Sequence, residues 1–504
     1  MSGSLEIFMT AAAVSVASGG QKASEIFARF LNLPPLDAAP AVDAPLMALA
    51  FLGFFALLLS TAPTLLTDSD MLWHIRTGQD ILASGQFPRV DSYSWTLAGK
   101  PWIAKEWLSQ VLYAGALALA GWTGVALLAL AAACAAYALV FAAVERRAGP
   151  AFALAATLCL ALAGNFHLVA RPHVLAWPVA ALFAIGLLNA AEEARAPGRA
   201  LLALMVLWAN LHGSFLFGLV LLPFFVWEAV ARAPSGKRAL AWRWVGFALL
   251  ALAAPMLNPY GYRLYVAAYD VLALGPAMSL ISEWKPQNFA SLNHFEAILL
   301  LALGAGWLGG VKIPLPRVAL LLALLYAALG QVRQEFFAVT IGALVLAAPV
   351  AALRQNIRRL PKEALRAGFP AAGGVLLAMG FALAQHGPLA PAETIAPAKA
   401  LAAARAAGVS GQALNEDQFG GYLIALKIPT YTDGRAELFG QFHYEQTLAL
   451  AGRKPEKLAQ ILADKTIGWT LLPSVLPVND ALAASPDWRP VYRDETSSVF
   501  MRLR

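Results

Sequence analysis

Only two of the 504 residues are cysteine, Cys134 and Cys159. Both sit inside apolar runs with no partner at a ligand spacing, which excludes a disulfide framework and a cysteine-based zinc centre. They read as small packing residues. Charge is scarce as well: Asp, Glu, Lys and Arg make up 13% of the chain against 59% hydrophobic residues, about half the charge of an ordinary soluble domain. Such a composition predicts a polytopic membrane protein. The apolar patch LEIFMTAAAVSVA near the N-terminus has no basic segment before it and is shorter than the ~20 residues of a crossing, so it reads as neither a cleaved signal nor a span. The net charge of +7 does not signal nucleic acid, because Lys and Arg fall in short clusters between apolar runs.

What the chain has in quantity is long apolar segments. Runs near residues 45–65, 122–144, 150–166, 173–190, 199–213, 214–231, 241–257, 294–309, 317–330, 335–353 and 367–385 predict about eleven crossings. Arg146 and Arg147, then Arg195 and Arg199, then Arg232, Lys237 and Arg238, then Lys312 and Arg317, then Arg354, Arg358, Arg359 and Lys362 occupy alternate connections. By the excess of positive charge on cytoplasmic loops, these connections face inward. The expectation is a multi-pass membrane protein in three parts. Residues 1–44 form a cytoplasmic tail whose KASEIFARFLNLPP segment is either amphipathic on the membrane surface or partly ordered. Residues 45–386 form the membrane domain, with 66–121 as its first periplasmic loop. Residues 387–504 form a periplasmic domain.

With this sidedness, the unusual polar clusters DSDMLWH, ARPH, WANLHG, NPYGYR, SEWKP and QVRQE all gather at the outer ends of spans. Ionisable groups at membrane depth are costly and usually line a cavity or a pathway. One outward-facing polar cavity is expected. In the first outer loop, Trp73, Ile75, Ile81 and Leu82 can form an apolar stripe on a helix lying in the interface, with Asp70, His74, Arg76 and Thr77 on its flanks. Gly85 ends that helix. A second short apolar piece, KEWLSQVLYAGALALAG, reads as interfacial, since at about fifteen apolar residues it is short for a crossing.

The order of first span, Asp-headed interfacial helix, terminal Gly, Lys-Pro and second interfacial helix resembles the GT-C superfamily of integral membrane glycosyltransferases. The strings DSDMLWHIRTGQDILASGQFPRVDSYSWTLAGKPWIAKEWLSQ and NEDQFGGYLIALKIPTYTDGRAELFG look like an uncharacterised bacterial branch of it. The Asp70 to Gly85 spacing fits members similar to aminoarabinose and mannosyl transferases, which makes Asp70 the counterpart of the family's catalytic Asp. Met71 stands where the second acid of the family's Asp-Glu pair would be, so an acidic partner falls to Asp68, Glu106 or Glu283. The resemblance implies a mainly α, GT-C-like membrane domain with about eleven spans, a polyprenyl-phosphate-linked sugar as donor, and a lipid or glycan acceptor within the envelope, in contact with membrane lipids.

Sugar transfer from a lipid phosphate asks for a base near the acceptor and cations for the departing phosphate. A carboxylate whose pKa is raised by burial or a like-charged neighbour can act as base, and Asp68 beside Asp70 supplies such a neighbour. Their competing reading is helix capping. Arg171 and Arg333 stand nearly alone among outer cations and suit phosphate clamping, unless each pairs with an acid such as Glu283 or Glu335. Glu283 is the candidate second acid. His74, Arg76, Glu106, His173, Asn210 and His212 complete the candidate substrate-binding set. His212 and Asn210 read equally as hydrogen-bonded structural groups. No metal-ligand spacing is visible, although His74, His212 and the aspartates include groups that a divalent cation uses. The tryptophans Trp73, Trp95, Trp102, Trp107 and Trp284 read first as interface anchors.

After residue 387 the composition becomes that of a soluble domain. GGYLIAL, IGWTLLP, WRPVYRD and SSVFMRL read as strands, and YEQTLALAG and PEKLAQILADK as helices, giving a small α/β domain. Asp433 and Arg435, on the Gly-centred turn TDGRAELFG, either reach toward the cavity or hold the turn together. Alternatives to a glycosyltransferase are a lipid or polysaccharide transporter, a membrane acyltransferase built on His212, and a non-catalytic assembly protein. A transporter would need polar groups along the inner halves of the spans, which are mostly Ala, Leu and Val.

Overall fold

The computed structural model of the protein describes residues 44–275, 278, 282–353, 362–385 and 387–503. The expectations for the N-terminal tail and for the basic cluster at Arg354, Arg358 and Arg359 lie outside the described residues. All eleven apolar runs are helical. Among the described residues, seven helices are long and apolar enough to cross a membrane: Pro45–Leu66, Trp107–Ala148, Pro172–Glu192, Phe215–Arg232, Lys237–Met256, Val332–Ala351 and Arg366–Gln385. Pro150–Asn165, Ala200–Leu211, His294–Gly309 and Leu315–Gly330 are shorter apolar helices. A helix satisfies every backbone group internally, which an apolar surrounding demands, and the Ala- and Leu-rich runs favour it.

Trp107–Ala148 is the axis of the bundle. It packs on Ala44–Leu58, Pro150–Asn165, Pro172–Glu192 and Glu335–Ala351. Its buried face carries Ala126, Ala129, Ala133, Ala136 and Tyr137, and small side chains let neighbouring helix backbones approach closely. The second interfacial piece proves to be the first thirteen residues of this element. The helix breaks at Ala120 and Gly121, and Gly121 has φ 60° and ψ −154°, a conformation open only to glycine.

The first interfacial helix is Asp70–Ser84, ended by Gly85 at φ 66°. Its buried face corrects the expected stripe. Met71, Leu72, Trp73, His74, Ile75, Thr77, Gly78 and Ile81 are covered, while Leu82 is 58% exposed. Gly78 explains the rotation, because a Cβ there would lie 2.0 Å from the Gln110 carbonyl oxygen. The face that meets Trp107–Ala148 is therefore the one with Gly78, and His74 goes inward with it. Trp73 and Trp102 are buried rather than anchoring at an interface.

At the end of the bundle away from this helix, an ion-pair network ties four helices together. Arg317, 1% exposed, contacts Glu228 and Glu192 at 2.7 and 2.8 Å and donates to the Val345 carbonyl at 2.7 Å. Arg147 bonds Glu192 and Asn189, and Arg232 pairs with Glu228.

The C-terminal domain holds a four-stranded sheet in the order β1-β2-β4-β3. β1 is Gln412–Asn415, β2 is Ile467–Pro473, β3 is Trp488–Arg493 and β4 is Ser497–Arg502. β1 and β2 are parallel, and the other pairings are antiparallel. GGYLIAL is not a strand but part of the helix Asp417–Ala425, which Glu416 caps by accepting from the Gln418 N–H. Its two glycines pack tightly, Gly420 against Thr432 and Asp433 and Gly421 against the Ser69 carbonyl. A short apolar run leaves helix and strand ambiguous, and these contacts decide it.

This domain is docked onto the segment that links the first two membrane-length helices. The Trp95 N–H donates to the Thr430 carbonyl and the Thr430 N–H to the Tyr93 carbonyl, both at 3.0 Å. The Trp95 indole donates to the Ala413 carbonyl. Arg435 is fully buried, with Nη1 2.7 Å from Asp91 and Nε 2.6 Å from Asp433. Tyr93 and Trp102 lie against its guanidinium.

Candidate active site

Between the bundle end and the C-terminal domain lies a chamber of about 800 Å³. Asp68, Asp70, His74, Glu106, Arg171, His173, His212, Glu283, Arg333 and Asp433 all line it, although they come from segments hundreds of residues apart. Arg76, Asn210 and Arg435 do not. Arg76 forms an i,i+4 pair with Asp80 at 2.6 Å on the outer flank of its helix. Asn210 accepts from the Trp107 indole at 2.6 Å and donates to the Val206 and Leu257 carbonyls, tying helix ends beside a separate, mainly apolar groove. Arg435 holds the turn, and Asp433, though at the wall, gives both carboxylate oxygens to it.

Arg171 precedes Pro172, which starts its helix and points the guanidinium into the chamber. It binds Asp70 at 2.8 Å, Glu283 at 2.8 Å and Asp68 at 3.3 Å. The expected phosphate clamp is thus already engaged by three carboxylates, and Arg171 organises the acids. Its charge holds Glu283 down to about 2. Asp70 behaves otherwise. Burial, helped by the charges of Asp68 and Asp417, lifts it to about 7 against the pull of Arg171 and the Trp73 indole N–H. That N–H donates to Asp70 Oδ1 at 3.0 Å. Asp68 accepts from the Asp70 backbone N–H at 2.9 Å, so it serves as a turn cap as well as a charge.

Arg333 is the contrasting cation. Its guanidinium lies over the Trp284 ring at 4.6 Å, with no carboxylate in ion-pair contact among the described residues. The backbone fixes the two strands of chain that carry this pair: the Val332 N–H donates to the Lys285 carbonyl and the Gln287 N–H to the Leu329 carbonyl. Glu335, which was the alternative partner, is buried and bonds Gln287 and His294 instead. An indole face supports a guanidinium without neutralising it, leaving its donors for an anion.

A third group surrounds Glu106. His212 Nε2 is 3.3 Å from one carboxylate oxygen and His74 Nε2 is 3.7 Å from the other. The Ser214 N–H donates to His212 Nδ1, and the Gln110 amide meets His74 Nδ1 at 3.1 Å. With Nδ1 accepting, each neutral ring carries its hydrogen on Nε2, turned toward Glu106. Burial first, then nearby cations, lowers both histidines, and burial raises Glu106. Metal ligation needs imidazole lone pairs where these rings present hydrogens. Among the described residues no group of three His, Cys, Asp or Glu side chains is arranged to hold a metal ion. The residues as arranged do not fit a resident divalent cation.

Sequence reasoning missed Lys105, His167, Asp417, Glu437 and His443, all of which line the chamber. Lys105 forms an ion pair with Glu437 of the C-terminal domain. Burial opposes the Lys105 charge, but Glu437 and Glu106 outweigh it and raise its pKa. Lys105 directly precedes Glu106 within the KEW string, a signal that was legible. His167 Nε2 is buried with no hydrogen-bond partner among the described residues, and nothing in its neighbourhood of sequence marks it.

Fold and site define a polytopic helical membrane protein whose charged chamber is roofed by a small α/β domain. No protein-family model and no curated protein matches the sequence. Among solved structures, the chain is similar to the Archaeoglobus fulgidus oligosaccharyltransferase tethered with an acceptor peptide, at 12% identity over 83% of this chain and 68% of that one, with a TM-score of 0.49. It is also similar to ArnT from Cupriavidus metallidurans in the apo state, at 16% identity over 89% of this chain and 96% of that one, with a TM-score of 0.48.

Proposed function

We propose that this protein is a GT-C-type membrane glycosyltransferase that moves a sugar from a polyprenyl-phosphate carrier to a lipid or glycan acceptor on the periplasmic side of a bacterial inner membrane. The observation that carries the reading is the pairing, in one chamber, of Asp70, held near a neutral pKa, with Arg333, a cation backed by an indole and without a carboxylate in ion-pair contact among the described residues. A base that titrates near the working pH is at its most effective.

In this reading Arg333 receives the carrier phosphate at the chamber wall. The acceptor hydroxyl oxygen attacks the anomeric carbon, its proton passes to the Asp70 carboxylate, and the bond from that carbon to the phosphate oxygen breaks. The electron pair leaves on the carrier phosphate, whose growing charge Arg333 stabilises. Attack opposite the leaving group inverts the anomeric centre. Arg171 offsets part of the repulsion between Asp70 and Asp68 and fixes the orientation of the base. Glu106, with two imidazole N–H groups turned toward it, is an ordered carboxyl group available to substrate hydroxyls.

A transporter is disfavoured because the far end of the bundle is closed by the network of Arg147, Glu192, Glu228, Arg232 and Arg317. The N-terminus inside and the C-terminal domain outside follow from the cationic loops. The test supplies membranes containing the protein with labelled undecaprenyl-phosphate sugars and an envelope fraction. Asp70→Asn is expected to lower transfer by at least about 100-fold, and Arg333→Gln to weaken stabilisation of the purified protein by undecaprenyl phosphate. Unimpaired transfer by Asp70→Asn overturns the base assignment.

A further inference from the structure

The C-terminal domain brings side chains of its own to the chamber, and two of them form a pair that the transfer chemistry leaves unused. Asp417 is the first residue of helix Asp417–Ala425, and His443 lies on helix Gln441–Leu450. His443 Nε2 is 3.4 Å from Asp417 Oδ2, and its Nδ1 is 3.3 Å from Thr432 Oγ1. A Thr432 hydroxyl that donates to Nδ1 leaves Nε2, within ion-pair distance of the carboxylate, as the nitrogen that carries the ring hydrogen. His443 and Thr432 are buried, at 5% and 1% exposure, whereas the Asp417 side chain is 35% exposed. The ring is locked from behind, and the carboxylate it orients is the part that meets the cavity.

The wall carrying this pair is pressed against the base. A Cβ on Gly434 would lie 1.8 Å from Asp70 Oδ1, and one on Gly421 would lie 2.1 Å from the Ser69 carbonyl oxygen. Only glycines permit such an approach, so the domain is seated on Asp70 itself rather than tethered nearby. Asp417 is close enough for its charge to raise Asp70. Burial, with the charge of Asp417 and a hydrogen bond to it, pushes Glu416 well above the usual carboxylate range. Arg333 and Trp284 come from the bundle, whereas Asp417 and His443 come from the domain above it. Donor phosphate and acceptor thus have separate walls.

We propose that Asp417, oriented by His443, binds the acceptor by accepting hydrogen bonds from its hydroxyl groups, so that the C-terminal domain forms the acceptor wall and selects a hydroxyl-bearing glycan. The assignment rests on the transferase reading and adds to it the side and chemistry of acceptor recognition. Asp417 touches the acceptor, and His443 is a positioning residue.

The test uses the full-length protein in native membranes with Asp417→Asn, Asp417→Glu and His443→Phe. Two readouts are taken: stabilisation of the purified protein by undecaprenyl phosphate, and transfer of label from undecaprenyl-phosphate glucose as the envelope fraction is diluted. Asp417→Asn is expected to raise the acceptor level needed for half-maximal transfer about tenfold or more, the loss of a hydrogen bond to a charged group, with undecaprenyl-phosphate stabilisation unchanged. His443→Phe should give a smaller rise in the same direction, and Asp417→Glu should recover part of the loss. An unchanged acceptor dependence in Asp417→Asn overturns the assignment, as does an equal loss of undecaprenyl-phosphate stabilisation. If the parent protein is neither stabilised by undecaprenyl phosphate nor able to transfer label, the transferase reading itself fails and the assignment falls with it.

Discussion

Replacing Arg171 with Gln removes the one cation that touches Asp70, Asp68 and Glu283 together, at 2.8, 3.3 and 2.8 Å. A unit charge about 4 Å away contributes roughly 4 kcal/mol at an effective dielectric of about 20. Arg171 and Asp70 keep 23% and 16% of their side-chain exposure, so water in the chamber screens part of this, and about 2 kcal/mol is a fair figure, close to 1.5 pK units. Asp70 starts at about 7, so the variant should titrate near 8.5. At pH 7.5 the ionised fraction would fall from about three quarters to about one tenth, a loss of roughly eightfold in rate that raising the pH recovers. Arg171→Lys keeps the charge and should leave the midpoint near that of the parent. The assay is an infrared titration of the buried carboxyl, with the Asp70→Asn spectrum subtracted, so it needs no substrate; the pH profile of transfer accompanies it. The sign is fixed by the chemistry: a base must be deprotonated, so the parent rate rises as pH passes through about 7 and the variant's rises later. An Arg171→Gln midpoint equal to the parent's would refute the claim that Arg171 sets the proton affinity of Asp70.

Gly434→Ala puts a methyl group 1.8 Å from Asp70 Oδ1; transfer should drop at least about tenfold, while Gly380→Ala, whose Cβ meets nothing within 4 Å, should leave it unchanged. Arg317→Met strands Glu228 without its main partner and should cost roughly 3–5 kcal/mol of stability, read as a lower thermal unfolding midpoint in detergent. Arg435→Leu leaves Asp91 and Asp433 buried and unpaired, at a similar cost of about 3–5 kcal/mol, and hydrogen exchange at the Thr430 and Trp95 amides should accelerate as the domain undocks from the segment around Tyr93 and Trp95.

Eleven helices were legible because an apolar surrounding leaves a long run of Ala, Leu and Val no other way to satisfy its backbone. The polar clusters at the ends of those runs were legible for the same reason: charge near an apolar phase is expensive enough to be conspicuous. The sequence by itself therefore determined the membrane architecture and most of the chamber's inventory, from Asp70 to Arg333. It did not determine pairing. Arg171 and Arg333 look alike as letters, yet one holds three acids and the other rests on Trp284, because that depends on which helix ends meet. Rotation of the Asp70–Ser84 helix about Gly78, the folding of GGYLIAL as a helix, and the seating of Gly434 on Asp70 were likewise decided only by tertiary contact. Asp417, Glu437 and His443 lie in segments of ordinary polarity, where nothing in local composition distinguishes a solvated side chain from one that closes a chamber. Apolar periodicity is a local property, but the proton affinity of a carboxylate is set by neighbours that only the folded chain brings within a few ångströms.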